Sequence, residues 1–136
     1  MKSIATLLFT LLFLTGCKKF IENQQEQAAL EVVTSGRWKV TQYKKGSQAL
    51  TSSFNNYQFQ FQPNQTVEAL KDSVLQLTGS WRVNVENRTI TSGFQTTATP
   101  LVLLNGTWTI TNSSLTTVAA TQTTDGEIRT LKLAKL

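Results

Sequence analysis

From Gly36 onward, apolar and polar residues alternate along short runs. Alternation with period two is the signature of a strand with one face buried. The clearest run is Tyr57-Gln58-Phe59-Gln60-Phe61-Gln62, which puts its aromatics on one face and its glutamines on the other. Trp38, Val40 and Gln42 alternate with Lys39 and Thr41, and Trp81, Val83 and Val85 alternate with Arg82, Asn84 and Glu86. Pro63-Asn64-Gln65 predicts a turn into a return strand from Thr66 to Leu70, and Asn87-Arg88 a turn into Thr89-Ile90-Thr91. Trp108 and Ile110 mark the next strand, Asn112-Ser113 ends it, and a Thr-rich strand runs from about Leu115 to Thr121. Asp125-Gly126 is a strong hairpin signal and leads into a last strand from Glu127 to Ala134. About eight short strands joined in order by tight turns predict an all-β fold, a small antiparallel up-and-down β-barrel. Val67, Leu70, Val74 and Leu77 also fit a helical stripe, but the Pro63-Asn64 turn favours a strand there, followed by a loop. Residues 93–105 carry no readable period, and Leu101-Val102-Leu103-Leu104 within them predicts a buried strand, with an exposed interface as the alternative.

The start of the chain follows a different pattern. Lys2 precedes a mostly apolar run from Ile4 to Leu14. A run of roughly a dozen residues has the length of a signal-peptide core and falls short of the about 20 that span a hydrocarbon layer. It ends in Leu14-Thr15-Gly16-Cys17, which resembles the lipobox of bacterial lipoproteins. The resemblance implies cleavage before Cys17 and lipidation of its thiol, the one side chain there nucleophilic enough to take a diacylglycerol as a thioether. Two or three acyl chains, at about 0.8 kcal/mol per buried CH2, make a stable anchor. The expected organisation is a signal peptide over 1–16, lipidated Cys17 and a spacer over 17–35, and a barrel domain over 36–136. Within the spacer, Glu22 to Val33 holds good helix formers, and both a short helix capping the domain and a flexible tether fit it. Lys18-Lys19 suit anionic headgroups. Surface-exported lipoproteins of some Gram-negative groups resemble one another in carrying acidic residues just after the cysteine. None precedes Glu22 here, so the expected address is the outer membrane with the domain facing the periplasm rather than the cell surface.

Composition narrows the chemistry. The formal charge is +5, but the basic residues are scattered with no cluster interleaved with aromatics, so no nucleic-acid partner is expected. The chain has no histidine, and Cys17 is its only cysteine. That rules out an intrachain disulfide, a zinc site built on Cys or His, and a triad with a histidine base. The carboxylates (Glu22, Glu26, Glu31, Glu68, Asp72, Glu86, Asp125, Glu127) show no spacing that singles out a catalytic pair. The expectation is a non-enzymatic protein with no cofactor and no metal.

Gly-x-Trp followed two residues on by Val or Ile occurs at Gly36-Arg37-Trp38-Lys39-Val40, Gly79-Ser80-Trp81-Arg82-Val83 and Gly106-Thr107-Trp108-Thr109-Ile110. Each glycine is read as admitting the chain into a strand at a tight bend, and each tryptophan as starting the inward face. With Phe54-x-x-Tyr57-x-Phe59-x-Phe61, Leu104-Asn105-Gly106-x-Trp108 and the terminal Leu131-Lys132-Leu133, this pattern resembles the lipocalin-like domains of small lipoproteins in Bacteroidetes-type bacteria. The resemblance spans roughly residues 36 to 136 and implies an eight-stranded barrel, in agreement with the strand count. It also implies an arginine of the last strand stacked on the first-strand tryptophan. Arg129 takes that place over Trp38 if it shares the inward face with Leu131 and Leu133, and points into solvent in the opposite register.

The interior expected from these patterns holds Trp38, Tyr57, Phe59, Phe61, Trp81, Trp108 and Arg129. A barrel of this size fits its own side chains or one small ligand, so two functions stay open. One is binding of a small apolar ligand at the open end; the other is a plugged barrel that engages an envelope protein partner as an interaction or inhibitor module. Asp72-Ser73-Val74 resembles an O-glycosylation site and would fit an exposed loop.

Overall fold

The computed structural model describes residues 24–136. A helix, α1 (residues 24–34), precedes nine strands: β1 (Trp38–Lys45), β2 (Gln48–Ala49), β3 (Tyr57–Phe61), β4 (Thr66–Lys71), β5 (Val74–Asn84), β6 (Thr89–Gly93), β7 (Gly106–Ser113), β8 (Thr117–Thr124) and β9 (Glu127–Lys135). Every strand pairs antiparallel with its neighbour in the order β2-β1-β3-β4-β5-β6-β7-β8-β9. β1 also pairs with β9, from Trp38 opposite Lys135 to Lys45 opposite Arg129. Because β2 touches only the end of β1, the other eight strands close into the barrel expected from the alternation. Closure satisfies the backbone groups that an open sheet would leave at its edges. The weakest seam lies between β1 and β3, which meet among the described residues at one pair, Trp38 opposite Phe59.

The inward faces follow the period-two pattern until a bulge interrupts it. In β1 the register against β9 shifts between Val40 and Gln42, with Thr41 as the extra residue. An inserted residue reverses which side chains face the core. Tyr43 therefore points inward and is fully buried, where simple alternation put Gln42. A similar shift in β7 falls between Ile110 and Asn112. The core so formed includes Val40, Tyr43, Phe59, Val67, Ala69, Trp81, Trp108, Ala120 and Leu131. Among the described residues no polar or charged residue is buried as a whole.

Two segments differ from the expectation. Residues 74–77, read as a loop, belong to the long strand β5. Asp72 (φ 51°) and Ser73 (φ 65°) make a two-residue reversal with both central residues left-handed, the geometry that returns a hairpin strand directly. Without a glycine this turn is hard to read. Residues 101–104 are buried at Leu101 and Leu104 as expected, but they form a 3-10 turn rather than a strand. With Phe94 and the matching turn Thr51–Phe54, they close one end of the barrel. Asn105 holds this plug as a strand partner would. Its Oδ1 accepts from the Phe94 N–H at 2.6 Å, and its Nδ2 donates to the Phe94 carbonyl at 3.0 Å.

The three glycines of the repeated motif serve different needs. Gly36 (φ 78°) and Gly106 (φ 109°) sit at bends that favour glycine, as the motif suggested. Gly79 lies in the middle of β5, and there the constraint is space. A Cβ on it would stand 2.6 Å from the Gly93 carbonyl oxygen and 2.7 Å from Phe94 Cδ1. Gly79→Ala should therefore cost about 2 kcal/mol or more by overpacking. Gly126→Ala, at φ 77° with nothing within 4 Å, should cost about 1 kcal/mol of backbone strain alone. Urea denaturation of the two variants measures both; equal losses would contradict the packing argument.

Tyr43 supplies a pH test. Burial raises its phenol above the ordinary 10.0, and the nearby Arg129 partly offsets this. The unfolded chain releases this proton first, so the contribution is intact up to about pH 10 and is lost as pH rises through the folded pKa. The Tyr43 hydroxyl also donates to the Leu103 carbonyl at 2.7 Å. Tyr43→Phe should lower stability at neutral pH and flatten the alkaline loss, as read from urea midpoints across that range. An unchanged alkaline slope would contradict it.

Candidate functional site

The two ends of the barrel are built differently. The end just described is sealed by Phe54, Phe94, Leu101 and Leu104. The other end is covered by α1, whose last turn is fastened to the barrel. A helix C-terminus leaves carbonyls without partners, and side chains from elsewhere in the chain meet them here. The Trp38 indole N–H donates to the Val33 carbonyl at 2.9 Å. The Lys135 ammonium donates to the Val32 carbonyl at 2.8 Å and to Ser35 Oγ at 2.9 Å. Gln60 Nε2 donates to the Gly36 carbonyl at 3.2 Å. Thr34 Oγ1 donates back to the Leu30 carbonyl at 2.7 Å. The ammonium also suits the negative end of the helix dipole.

Lys135 Nζ stands 5.1 Å from the centre of the Trp38 ring, so the cation over the first-strand tryptophan is Lys135. The expected Arg129–Trp38 stack does not form. Arg129 does face inward with Leu131, but it pairs opposite Lys45 at the sealed end, beside Tyr43. Its Nε and Glu127 Oε1 are buried without hydrogen-bond partners.

Inside the barrel is a cavity of about 60 Å³, lined by Phe59, Phe61, Val67, Ile90, Ser92, Phe94, Leu104, Trp108, Val118, Ala120, Leu131 and Leu133. The Ser92 hydroxyl is committed to the Leu104 carbonyl, so the space is apolar. An apolar cavity that takes benzene measures about 150 Å³; this one is too small for such a guest.

Between α1 and the barrel rim lies a larger crevice of about 390 Å³. Ala28, Ala29, Val32 and Val33 form its helical side, and Val83, Ile90, Ile110, Leu115 and Val118 its barrel side, with Ser113 and Ser114 at the edge. Among the described residues lining it, none is charged. Ile90 and Val118 line both spaces, so the crevice lies directly beside the inner cavity. A third hollow, about 430 Å³, opens where β1 and β3 part and is lined by Lys39, Thr41, Asn55, Asn56, Tyr57 and Gln58 among others.

The residues singled out from the sequence separate accordingly. Phe59, Phe61 and Trp108 line the inner cavity. Trp81 is buried edge-on against Phe61 at 5.3 Å and donates its indole N–H to the Gln62 carbonyl at 3.0 Å. Trp38 is buried beneath the helix end, outside the inner cavity. Tyr57 is half-buried beside the β1–β3 hollow, with Lys71 5.7 Å from its ring centre. Cys17 lies outside the described residues. The apolar residues of the rim went unread as a site because each looks like an ordinary strand position. Leu115 was the one visible signal, an isolated large apolar residue among Ser113, Ser114 and Thr116.

No family model matches the chain, and no curated protein matches it. Among solved structures, the fold is similar to the crystal structure of a DUF4847 family protein from Bacteroides vulgatus, with TM-score 0.55 and 13% identity. The superposition covers 78% of this chain and 96% of that one. At this identity the likeness shows the barrel fold and nothing finer.

Proposed function

We propose that this is a lipid-anchored, non-catalytic protein of the cell envelope whose barrel holds one small apolar molecule in the crevice beneath α1. The observation that carries the binding reading is the contrast between the two spaces. The inner cavity of about 60 Å³ is nearly filled, while the crevice of about 390 Å³ beside it is apolar, roomy and open at the rim. Ligand sites are typically concave, apolar and few per protein. The anchor rests on the Leu14-Thr15-Gly16-Cys17 motif after its apolar run, and the outer membrane facing the periplasm is its proposed address. The non-catalytic reading rests on a chain without histidine whose carboxylates show no spacing that singles out a catalytic pair.

A second reading, a module that engages an envelope protein partner, is favoured by the parting of β1 and β3, which leaves a polar hollow in the barrel wall. Titration of the domain spanning residues 18–136 with N-phenyl-1-naphthylamine tells the two apart. The binding reading predicts saturable one-to-one fluorescence enhancement. Ile110→Trp, which fills the crevice, should weaken it by about tenfold or more, and Thr109→Trp on the outer face of the same strand should leave it unchanged. No enhancement, or equal binding by both variants, would turn the search to protein partners.

A further inference from the structure

We infer that the helix-capped end of the barrel is a membrane-facing surface, seated on the leaflet that holds the Cys17 lipid, and that a hydrocarbon chain of that leaflet is the guest of the crevice. The inference rests on the anchored, guest-binding reading above and adds the direction the barrel faces and the class of its guest.

Three observations carry it. The first is reach. The described part of the chain begins with α1 at Gln24, close after Cys17 in sequence. About seven extended residues span at most about 25 Å, so an anchor at Cys17 keeps the N-terminal side of α1 near the bilayer. The second is exposure. Leu115 is 73% exposed on the β7–β8 turn and forms one lip of the crevice. Ala28 is exposed on the opposite lip. A large apolar side chain set out into solvent beside an apolar groove suits an apolar phase. The third is charge. A buried ionised group needs a partner, and among the described residues lining the crevice none is charged. A guest whose charged group entered the crevice would be unpaired there. A lipid whose acyl chain enters while its headgroup stays at the interface needs no such partner.

The rival seat is the β4–β5 hairpin at the other end, where Val74 is 61% and Leu75 52% exposed. The test compares the two ends on the full chain, purified from membranes and reconstituted into vesicles of phosphatidylethanolamine and phosphatidylglycerol. Cys17 is the only cysteine, and lipidation blocks its thiol, so Leu115→Cys and Val74→Cys each accept one environment-sensitive fluorophore. The expected result is a blue-shifted emission at position 115 that is largely quenched by brominated acyl chains, with the label at 74 remaining as in water. A label at 115 that stays aqueous, or one at 74 that responds equally, overturns the inference. The guest site itself would still stand if the soluble domain takes up the naphthylamine probe. An intact mass showing no acyl groups on Cys17 removes the anchor, and the seating with it.

Discussion

The pairing of β1 with β9 is the constraint on which the rest of the structure depends. Strands joined in sequence by tight turns pair with their neighbours at little loop cost, but the first and last strands must find each other across the whole chain. Once Val40 lies opposite Leu133 and Tyr43 opposite Leu131, both sides of the ring face one interior. The same register brings Trp38 opposite Lys135. The latch on α1 is a consequence: the indole N–H and the ammonium arrive together beneath the carbonyls of Val33 and Val32. A helix of this length has little stability of its own in water, so it is the closed barrel that holds it over the rim.

Closure also decides where space is left. Each of the three tryptophans places its indole ring in the core and hands its N–H to a carbonyl outside the strand ladder: Val33, Gln62 and Leu104. Burial of large aromatic rings contributes much of the core's stabilisation, and satisfied N–H groups remove the penalty of taking them out of water. The rings that stabilise the barrel occupy the volume a larger lipocalin-like cup would leave empty. At one end Phe94 and the turn of Leu101–Leu104 complete the filling. At the other, α1 bridges the rim without filling it, because its crevice face carries Ala28 and Ala29 alongside Val32 and Val33. Small side chains on a bridging helix leave room that larger ones would take.

The strands were legible because each has one buried and one exposed face, and that contrast is written locally in period two. All eight strands of the ring fall where the alternation placed them, with β5 starting earlier than expected. The bulge at Thr41 was illegible, since a one-residue insertion is defined by the partner strand; it exchanged Gln42 for Tyr43 on the inner face. The turn at Asp72-Ser73 lacks the glycine that makes Asp125-Gly126 plain. The choice of Lys135 over Arg129 depends on register across nearly the whole chain, and a resemblance to larger barrels pointed to the wrong cation. Phe59, Phe61, Trp81 and Trp108 were read from the sequence as core rings, but Tyr43, Phe54 and Phe94 were not, and neither was the crevice. Val83, Ile90, Ile110 and Val118 become a site only when α1, far away in sequence, is laid beside them.

The central claim is that a solid barrel carries one apolar guest at its helix-capped rim. Native mass spectrometry tests it most directly, on the domain spanning residues 18–136 exported to the envelope without Cys17 and purified without detergent. The account predicts a single non-covalent adduct with the mass of one small apolar molecule or one lipid, lost on denaturation and absent from Ile110→Trp. A bare mass for the unsubstituted domain, or an adduct that Ile110→Trp retains, would contradict it.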